Sequence, residues 1–109
     1  MAGEDLGPIA TRILYEDDEV RIWDQHIAAG ETLGKHRHEH DYVLVNLKGE
    51  GPLHVRFHEG SGGALGDALE LIPKPGEAMT VPKGHVETAE NRGTAYRAIL
   101  VEMKKPREG

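Results

Sequence analysis

Cysteine is absent from the 109 residues, which excludes disulfide bonds, thiolate metal ligands and a cysteine nucleophile. Aromatic residues are scarce: the chain has one Trp and one Phe, and apolar residues make up 38% of its composition. A chain of this length forms one domain with a modest hydrophobic core. We therefore expect a surface for self-association that buries additional area, and a homodimer as its product.

Long apolar runs and basic segments are also missing. No stretch approaches the ~18 apolar residues that cross a membrane, and the first residues lack both a basic region and an apolar run. The formal net charge of -6 argues against nucleic acid and against an anionic membrane, because both partners require a basic face. The basic cluster Lys104, Lys105 and Arg107 is short and typical of a solubilising tail. These features predict a soluble, cytoplasmic protein.

Histidine, by contrast, is concentrated in one short stretch, where His36, His38 and His40 precede Tyr42. Side chains of a strand alternate between its faces, so these four residues would project from the same face. Neutral imidazoles are common ligands of transition metals. A metal site is one interpretation and a polar, solvated face is the other. The apolar run at residues 43–47 follows directly, and it favours the metal site.

Glycine and proline interrupt the rest of the chain at short intervals. Strand candidates cover residues 13–15, 20–27, 42–47, 53–58, 68–72, 78–81, 85–89 and 94–103. The apolar residues of segment 20–27 also fit the spacing of an amphipathic helix, but the β-branched and aromatic residues of this segment favour a strand. Short strands punctuated by Gly and Pro are typical of a β-sandwich or β-barrel. The sequence therefore predicts an all-β domain at residues 13–105, an amino-terminal arm at 1–12 and a tail at 106–109.

Segment 53–58 alternates regularly. Leu53, Val55 and Phe57 would face the core, and His54 and His58 would then lie on the surface, away from the first histidine cluster. The glycine-rich loop at 59–66 that follows resembles a phosphate-binding loop only superficially, since the required spacing and Lys-Ser/Thr pair are missing.

Two spaced motifs give this pattern a family resemblance. The first contains Gly30, His36, His38, Tyr42 and Gly49, and the second contains Gly76, Pro82, Gly84, Glu87 and Asn91. Both resemble, in spacing, the motifs of the cupin family, whose members are small double-stranded β-helix (jelly-roll) barrels. Residues 19–23 and 40–45 are also similar to a subgroup of small single-domain cupins, some of which are associated with β-alanine breakdown. Gly30, Gly49, Gly76 and Gly84 would supply turns with positive φ.

The resemblance also implies a ligand set. Cupins carry two histidines and a glutamate in the first motif and one histidine in the second. His36 and His38 match the pair, whereas Tyr42 replaces the glutamate and Glu87 replaces the last histidine. His36, His38 and Glu87 together form a set of two histidines and one carboxylate, which leaves coordination positions open on Fe(II) or a similar ion.

Three further residues are predicted to lie close to these three ligands. His40 and His85 would serve as substitute metal ligands. Tyr42 would bind a ligand as a weak metal ligand or hydrogen-bond donor, or would be an amphipathic core residue.

Two classes of function follow from the resemblance. One is a metal-dependent enzyme, of dioxygenase or isomerase type, that acts on a small polar or carboxylated metabolite through Fe, Mn, Ni or Zn. The other is a non-catalytic module that binds a small molecule or a metal. Cupins include both classes, and the fold does not decide between them.

Overall fold

A computed structural model describes residues 10–105 of the chain. Within these residues, nine strands form the fold, and a single 3₁₀ turn at Gly63–Leu65 is the one helical segment. The strands are β1 (Arg12–Glu16), β2 (Val20–Ile27), β3 (Thr32–Arg37), β4 (Asp41–Lys48), β5 (Leu53–Phe57), β6 (Ala68–Leu71), β7 (Ala78–Val81), β8 (Val86–Asn91) and β9 (Tyr96–Met103). The predicted all-β fold is confirmed. No helix in the described part of the chain is long and apolar enough to span a membrane.

The strands form two antiparallel sheets. The five-stranded sheet has the order β1-β2-β9-β4-β7, and the four-stranded sheet has the order β3-β8-β5-β6. Strands that follow each other in sequence often belong to different sheets, as in a double-stranded β-helix. The inner faces of both sheets enclose the core.

Side-chain alternation determines which residues reach this core. In β9 every second residue from Tyr96 is buried, and its cross-strand partners on β4 alternate in phase, so that Leu100 lies beside Leu44. In β5 the predicted core residues Leu53, Val55 and Phe57 are buried, which confirms the alternation inferred for this strand. Burial of one such side chain stabilises the fold by about 1.5–3 kcal/mol.

Turns between the strands depend on glycine at several points. Gly30, Gly49, Gly76 and Gly84 all have positive φ, as predicted. At Gly49, where φ is +106°, an added Cβ would also lie 2.9 Å from the carbonyl oxygen of Ala95. A side chain there would therefore both strain the backbone and collide with the residues at the start of β9.

The stretch from His36 to Asn46 does not form one strand. β3 ends at Arg37 in the four-stranded sheet, and β4 begins at Asp41 in the five-stranded sheet. Between them, the N–H of His38 donates to the carbonyl of His85 (2.9 Å), and the N–H of Gly84 donates to the carbonyl of His38 (2.8 Å). The continuous alternation predicted across this stretch is wrong, because the chain turns a barrel corner there.

Residues 1–9 of the predicted arm and the predicted tail at 106–109 lie outside the described residues. The last three residues of the arm are described. Ala10 is buried, and the N–H of Thr11 donates to the carbonyl of Asp24 on β2 (3.1 Å). This short segment therefore continues the edge of the five-stranded sheet.

Candidate metal centre

A cavity of about 140 Å³ lies between the two sheets. Aliphatic and aromatic side chains form most of its wall, including Leu33, Leu44, Leu53, Val55, Phe57 and Leu100. The polar side chains that reach it are those of Gln25, His36, His38, Tyr42, His85, Glu87 and Tyr96. The cavity thus combines an apolar interior with one concentrated polar region.

Three donor atoms converge in that region. Nε2 of His36 lies 3.1 Å from Nε2 of His38, and Oε1 of Glu87 lies 3.4 Å and 3.0 Å from these two nitrogens. Both histidines are about 1% exposed, and the Glu87 side chain is 13% exposed. Within residues 10–105, this is the one group of three histidine or acidic side chains close enough to hold a metal ion.

The strands explain why these residues meet. His36 on β3 and Glu87 on β8 are direct cross-strand neighbours in the antiparallel register, so their side chains lie on the same face of the four-stranded sheet. His38 follows the end of β3 at the barrel corner, where its backbone pairs with His85.

A hydrogen bond fixes the tautomer of His36. Its Nδ1 lies 2.7 Å from the carbonyl oxygen of Gly34, which can only accept, so Nδ1 carries the proton. In a neutral His36 the lone pair is therefore on Nε2, the nitrogen that faces His38 and Glu87, whereas a protonated Nε2 would donate to Glu87. A backbone carbonyl behind a histidine is the usual support of a metal-ligating imidazole.

His38 has no equivalent support. Its Nδ1 is buried and has no hydrogen-bond partner in the described part of the chain. Tyr42 stacks on its ring instead, with centroids 4.5 Å apart and an interplanar angle of 21°. Stacking fixes the ring plane, while the orphaned nitrogen leaves a buried polar group unsatisfied.

Glu87 is ionised in this environment. Burial by itself would raise the pKa of Glu87, but the hydrogen bonds and charges of His36 and His38 lower it to about 2. Tyr42 behaves in the opposite way, since burial and the nearby Glu87 raise the pKa of its phenol well above the usual value. Tyr42 is therefore a neutral, stacked side chain at the cavity wall.

The structure places the other two predicted ligands outside the three-atom group. His40 lies in the bend between β3 and β4 and is not among the residues of the cavity wall. His85 does reach the cavity wall, where its ring packs edge-on against Phe57 at 5.0 Å. His54 and His58, which were expected to point away from the cluster, also lie off the cavity wall, and His58 pairs with Thr88 instead.

Sequence reasoning missed Gln25. This residue of β2 is 7% exposed and lines the cavity, and its amide forms no hydrogen bond within residues 10–105. The alternation of β2 could have identified it, because Trp23, Gln25 and Ile27 share one face of the strand.

The donor set fits a divalent transition metal. Metal–ligand bonds of ~2.1 Å place adjacent donor atoms about 3 Å apart, which matches the separations seen here. Two imidazoles and one carboxylate are ligands that Fe(II), Mn(II), Ni(II) and Zn(II) accept, and three protein ligands leave further positions open. The residues His36, His38 and Glu87 could therefore hold such an ion.

Two antiparallel sheets around a histidine- and glutamate-lined cavity define a small cupin. The chain belongs to the auxin binding protein family, whose profile matches residues 3–107. It is 30% identical over 98 residues to auxin-binding protein 1 of Arabidopsis thaliana, and the match covers 90% of the chain. The matched region spans about half of that relative, 48% of its length.

Solved structures agree with this fold. A cupin domain from Bordetella pertussis has a TM-score of 0.75 at 24% identity, and the match covers 95% of this chain and 100% of that one. A polyketide cyclase from Streptomyces resistomycificus has a TM-score of 0.57 at 17% identity, with 82% and 57% of the two chains covered. At such identities these likenesses establish the fold alone. The similarity to cupins associated with β-alanine breakdown stays a prediction.

Proposed function

We propose that this chain binds a divalent transition metal through His36, His38 and Glu87 and uses the site to hold a small molecule with an anionic group and an apolar body. The observation that carries the proposal is the convergence of three donor atoms, 3.0–3.4 Å apart, at the wall of an otherwise apolar cavity. A bound divalent ion would supply a Lewis acid with open positions for an anionic oxygen.

Each residue of the site has a separate task in this proposal. His36 presents a lone pair because the Gly34 carbonyl holds its other proton. Glu87 contributes the negative charge, since its depressed pKa keeps it ionised near neutral pH. Tyr42 holds the His38 ring by stacking and stays neutral.

The cavity determines which molecules fit. An apolar cavity of roughly 150 Å³ accommodates a benzene-sized body, which is close to the volume found here. The amide of Gln25 adds a donor and an acceptor to a wall that is otherwise apolar. Polar groups placed singly in an apolar pocket usually orient the ligand. The name of the Arabidopsis relative, an auxin-binding protein, supports a binding function.

A second candidate is a metal-dependent enzyme of dioxygenase or isomerase type. Two observations favour it: the three-ligand donor set, and the imidazole of His85 at the cavity wall, where it could move a proton. We place binding first because the described cavity wall contains no carboxylate other than the proposed ligand Glu87.

The proposal is tested with the purified chain stripped of metal. Calorimetric titrations with Fe(II), Mn(II), Ni(II) and Zn(II) should show one site per chain. Benzoate, used as the probe, should then bind the metal-loaded chain and not the stripped chain, and benzamide should bind neither tightly. Binding of benzoate with equal affinity in both forms would remove the metal from the proposal, and turnover of a carboxylate probe would favour the enzyme.

A further inference from the structure

Two edge strands, β6 and β7, face each other across a gap in the barrel wall. β6 pairs with β5 at the edge of the four-stranded sheet, and β7 pairs with β4 at the edge of the five-stranded sheet. Within residues 10–105, no ladder of hydrogen bonds joins β6 to β7. The connection at residues 72–77 bridges this β6–β7 gap at one end, and the loop at residues 58–67 lies at the other.

The cavity reaches the protein surface at the β6–β7 gap. The inward residues of the two strands line the cavity: Leu69 and Leu71 on β6, and Met79 and Val81 on β7. Met79 is 42% exposed, and Leu65, in the 3₁₀ turn of the loop before β6, lines the cavity and is 51% exposed. Every other residue of the described cavity wall is less exposed than these two. Side chains that line a cavity and also meet solvent mark its opening.

The β6–β7 gap leads to the proposed metal ligands. On one side, Val81 of β7 is the cross-strand neighbour of Tyr42, whose ring stacks on His38. On the other side, Phe57 of β5 is the cross-strand neighbour of Glu87, and β6 is the next strand beyond β5. A small molecule that passes between β6 and β7 therefore reaches the three donor atoms without crossing either sheet.

Leu65 lies in the part of the loop that is least attached to the barrel. Ser61 anchors the loop, because its hydroxyl accepts a hydrogen bond from the N–H of Val86 (2.9 Å) and donates to the carbonyl of that residue (3.1 Å). Among the described residues, the backbone of the tip at 62–66 forms hydrogen bonds only within the loop itself. Segments with few bonds to the rest of a fold open at a low cost in free energy. Leu65 can therefore move without breaking a backbone hydrogen bond to either sheet.

We infer that small molecules enter the cavity through the β6–β7 gap and that Leu65 and Met79 control their entry. The inference rests on the proposed function only in treating the cavity as a ligand site. The gap is lined by aliphatic and thioether side chains, which cannot replace the hydrogen bonds that a polar molecule makes with water. It therefore favours molecules with a large apolar surface over a sugar or a polar amino acid of similar size.

Benzene, used as the probe, tests this entrance in the full chain without metal, because an apolar cavity of this size binds it without a donor atom. Leu65→Trp and Met79→Trp should each slow both association and dissociation at least about tenfold, since a narrower entrance raises the barrier to passage in both directions. The affinity should change much less than either rate. Leu47→Trp is the matched control, because Leu47 is 44% exposed on β4 and lies off the cavity wall. Nuclear magnetic resonance exchange measurements give both rates.

A chemical variant covers the case in which the tryptophan variants do not fold. Because the chain has no cysteine, Met79→Cys carries a single thiol, to which benzyl methanethiosulfonate can be attached after folding. This label should slow the entry of benzene as the tryptophan does, whereas the same label on Leu47→Cys should leave the rate unchanged.

Three results would overturn the inference: wild type that does not bind benzene, association rates that the blocked entrance leaves unchanged, and a loss of affinity at an unchanged association rate. The last result would make Leu65 and Met79 parts of the cavity wall alone. Because benzene is uncharged and no metal is present, the test is independent of the metal site. If benzene behaves as expected and benzoate does not bind the metal-loaded chain, the proposed function fails and the entrance is supported.

Discussion

Glu87 lies directly opposite His36 on the neighbouring antiparallel strand, and its Oε1 is 3.4 Å from the Nε2 of that histidine. The register of β3 and β8 therefore brings a carboxylate from the second half of the chain to the imidazoles of the first half. This pairing makes Glu87 the residue whose loss should affect the site most directly.

Glu87→Gln should weaken metal binding at least about tenfold, because it removes the charged donor while keeping the size of the side chain. His58→Ala is the control, since His58 lies off the cavity wall and bonds Thr88. Calorimetric titration of each metal-free protein measures the difference. Equal affinities of the two variants would remove Glu87 from the site.

Metal affinity should also fall in acid. The imidazoles of His36 and His38 must be neutral to bind an ion, so affinity should decline as the pH falls and protons compete with the metal for the ring nitrogens. Glu87 contributes little to this decline, because its pKa of about 2 keeps it ionised in that range. Titrations between pH 5 and pH 8 measure the effect, and a flat profile would exclude histidine ligands.

Gln25→Leu should weaken binding of a carboxylate probe to the metal-loaded chain by about tenfold, since it removes a polar contact and leaves the cavity wall apolar. Metal affinity should not change, because the Gln25 side chain is not among the three donors. Nuclear magnetic resonance titration measures the affinity for benzoate, and calorimetry measures the affinity for the metal. A parallel loss of both would indicate a damaged fold instead.

Asp24 should make stability depend on pH. Hydrogen bonds from Arg97 lower the pKa of its buried carboxyl, and His26 contributes in the same direction. Because the folded pKa is depressed, this stabilisation is complete above the unfolded value of ~3.9 and is lost as the pH falls through the folded value. Asp24→Asn should therefore cost about 1–3 kcal/mol at neutral pH and less in acid.

Urea unfolding at several pH values measures this dependence. Asp18→Asn is the control, because Asp18 is an exposed residue of the β1–β2 turn. A difference between wild type and Asp24→Asn that stays constant down to pH 3 would contradict the argument.

Trp23→Phe should destabilise the fold by about 1–3 kcal/mol, since it removes a donor from a buried charge. Glu102 is 1% exposed and accepts hydrogen bonds from the indole of Trp23 (2.5 Å) and from Arg21 (2.7 Å). Tyr15→Phe, which removes an exposed hydroxyl bonded to Asp17, should change stability far less than Trp23→Phe. Urea unfolding compares the two variants.

Much of the fold could be predicted because local alternation and turn residues agree with it. β2 occupies the predicted residues 20–27, and the buried face of β5 was predicted residue by residue. The corner at residues 38–40 could not be predicted, since its cause is a backbone pairing of His38 with Gly84 and His85, more than forty residues away. Strand periodicity carries no information on such long-range contacts.

Only part of the site could be predicted from the sequence, for the same reason. Motif spacing pointed to His36, His38 and Glu87, which the barrel brings together. The burial of Gln25, Asp24 and Glu102 depends on which strands become neighbours, and polar residues on a strand are read from sequence as exposed. The order of the strands in the sheets, which composition does not reveal, therefore determines which of these polar residues are buried.

The three donor atoms all come from β8 and from β3 with the residue that follows it, whereas the five-stranded sheet supplies the facing wall with Gln25, Leu44 and Leu100. In the proposed function, the metal ligands would therefore all come from one layer of the barrel, whereas both layers would shape the space for a ligand. Substitutions at Leu44 or Leu100 can reshape the space for a ligand without moving a donor atom. Related chains could consequently diverge in the molecules they accept while keeping one metal, and a designer could retune this barrel by editing a single sheet.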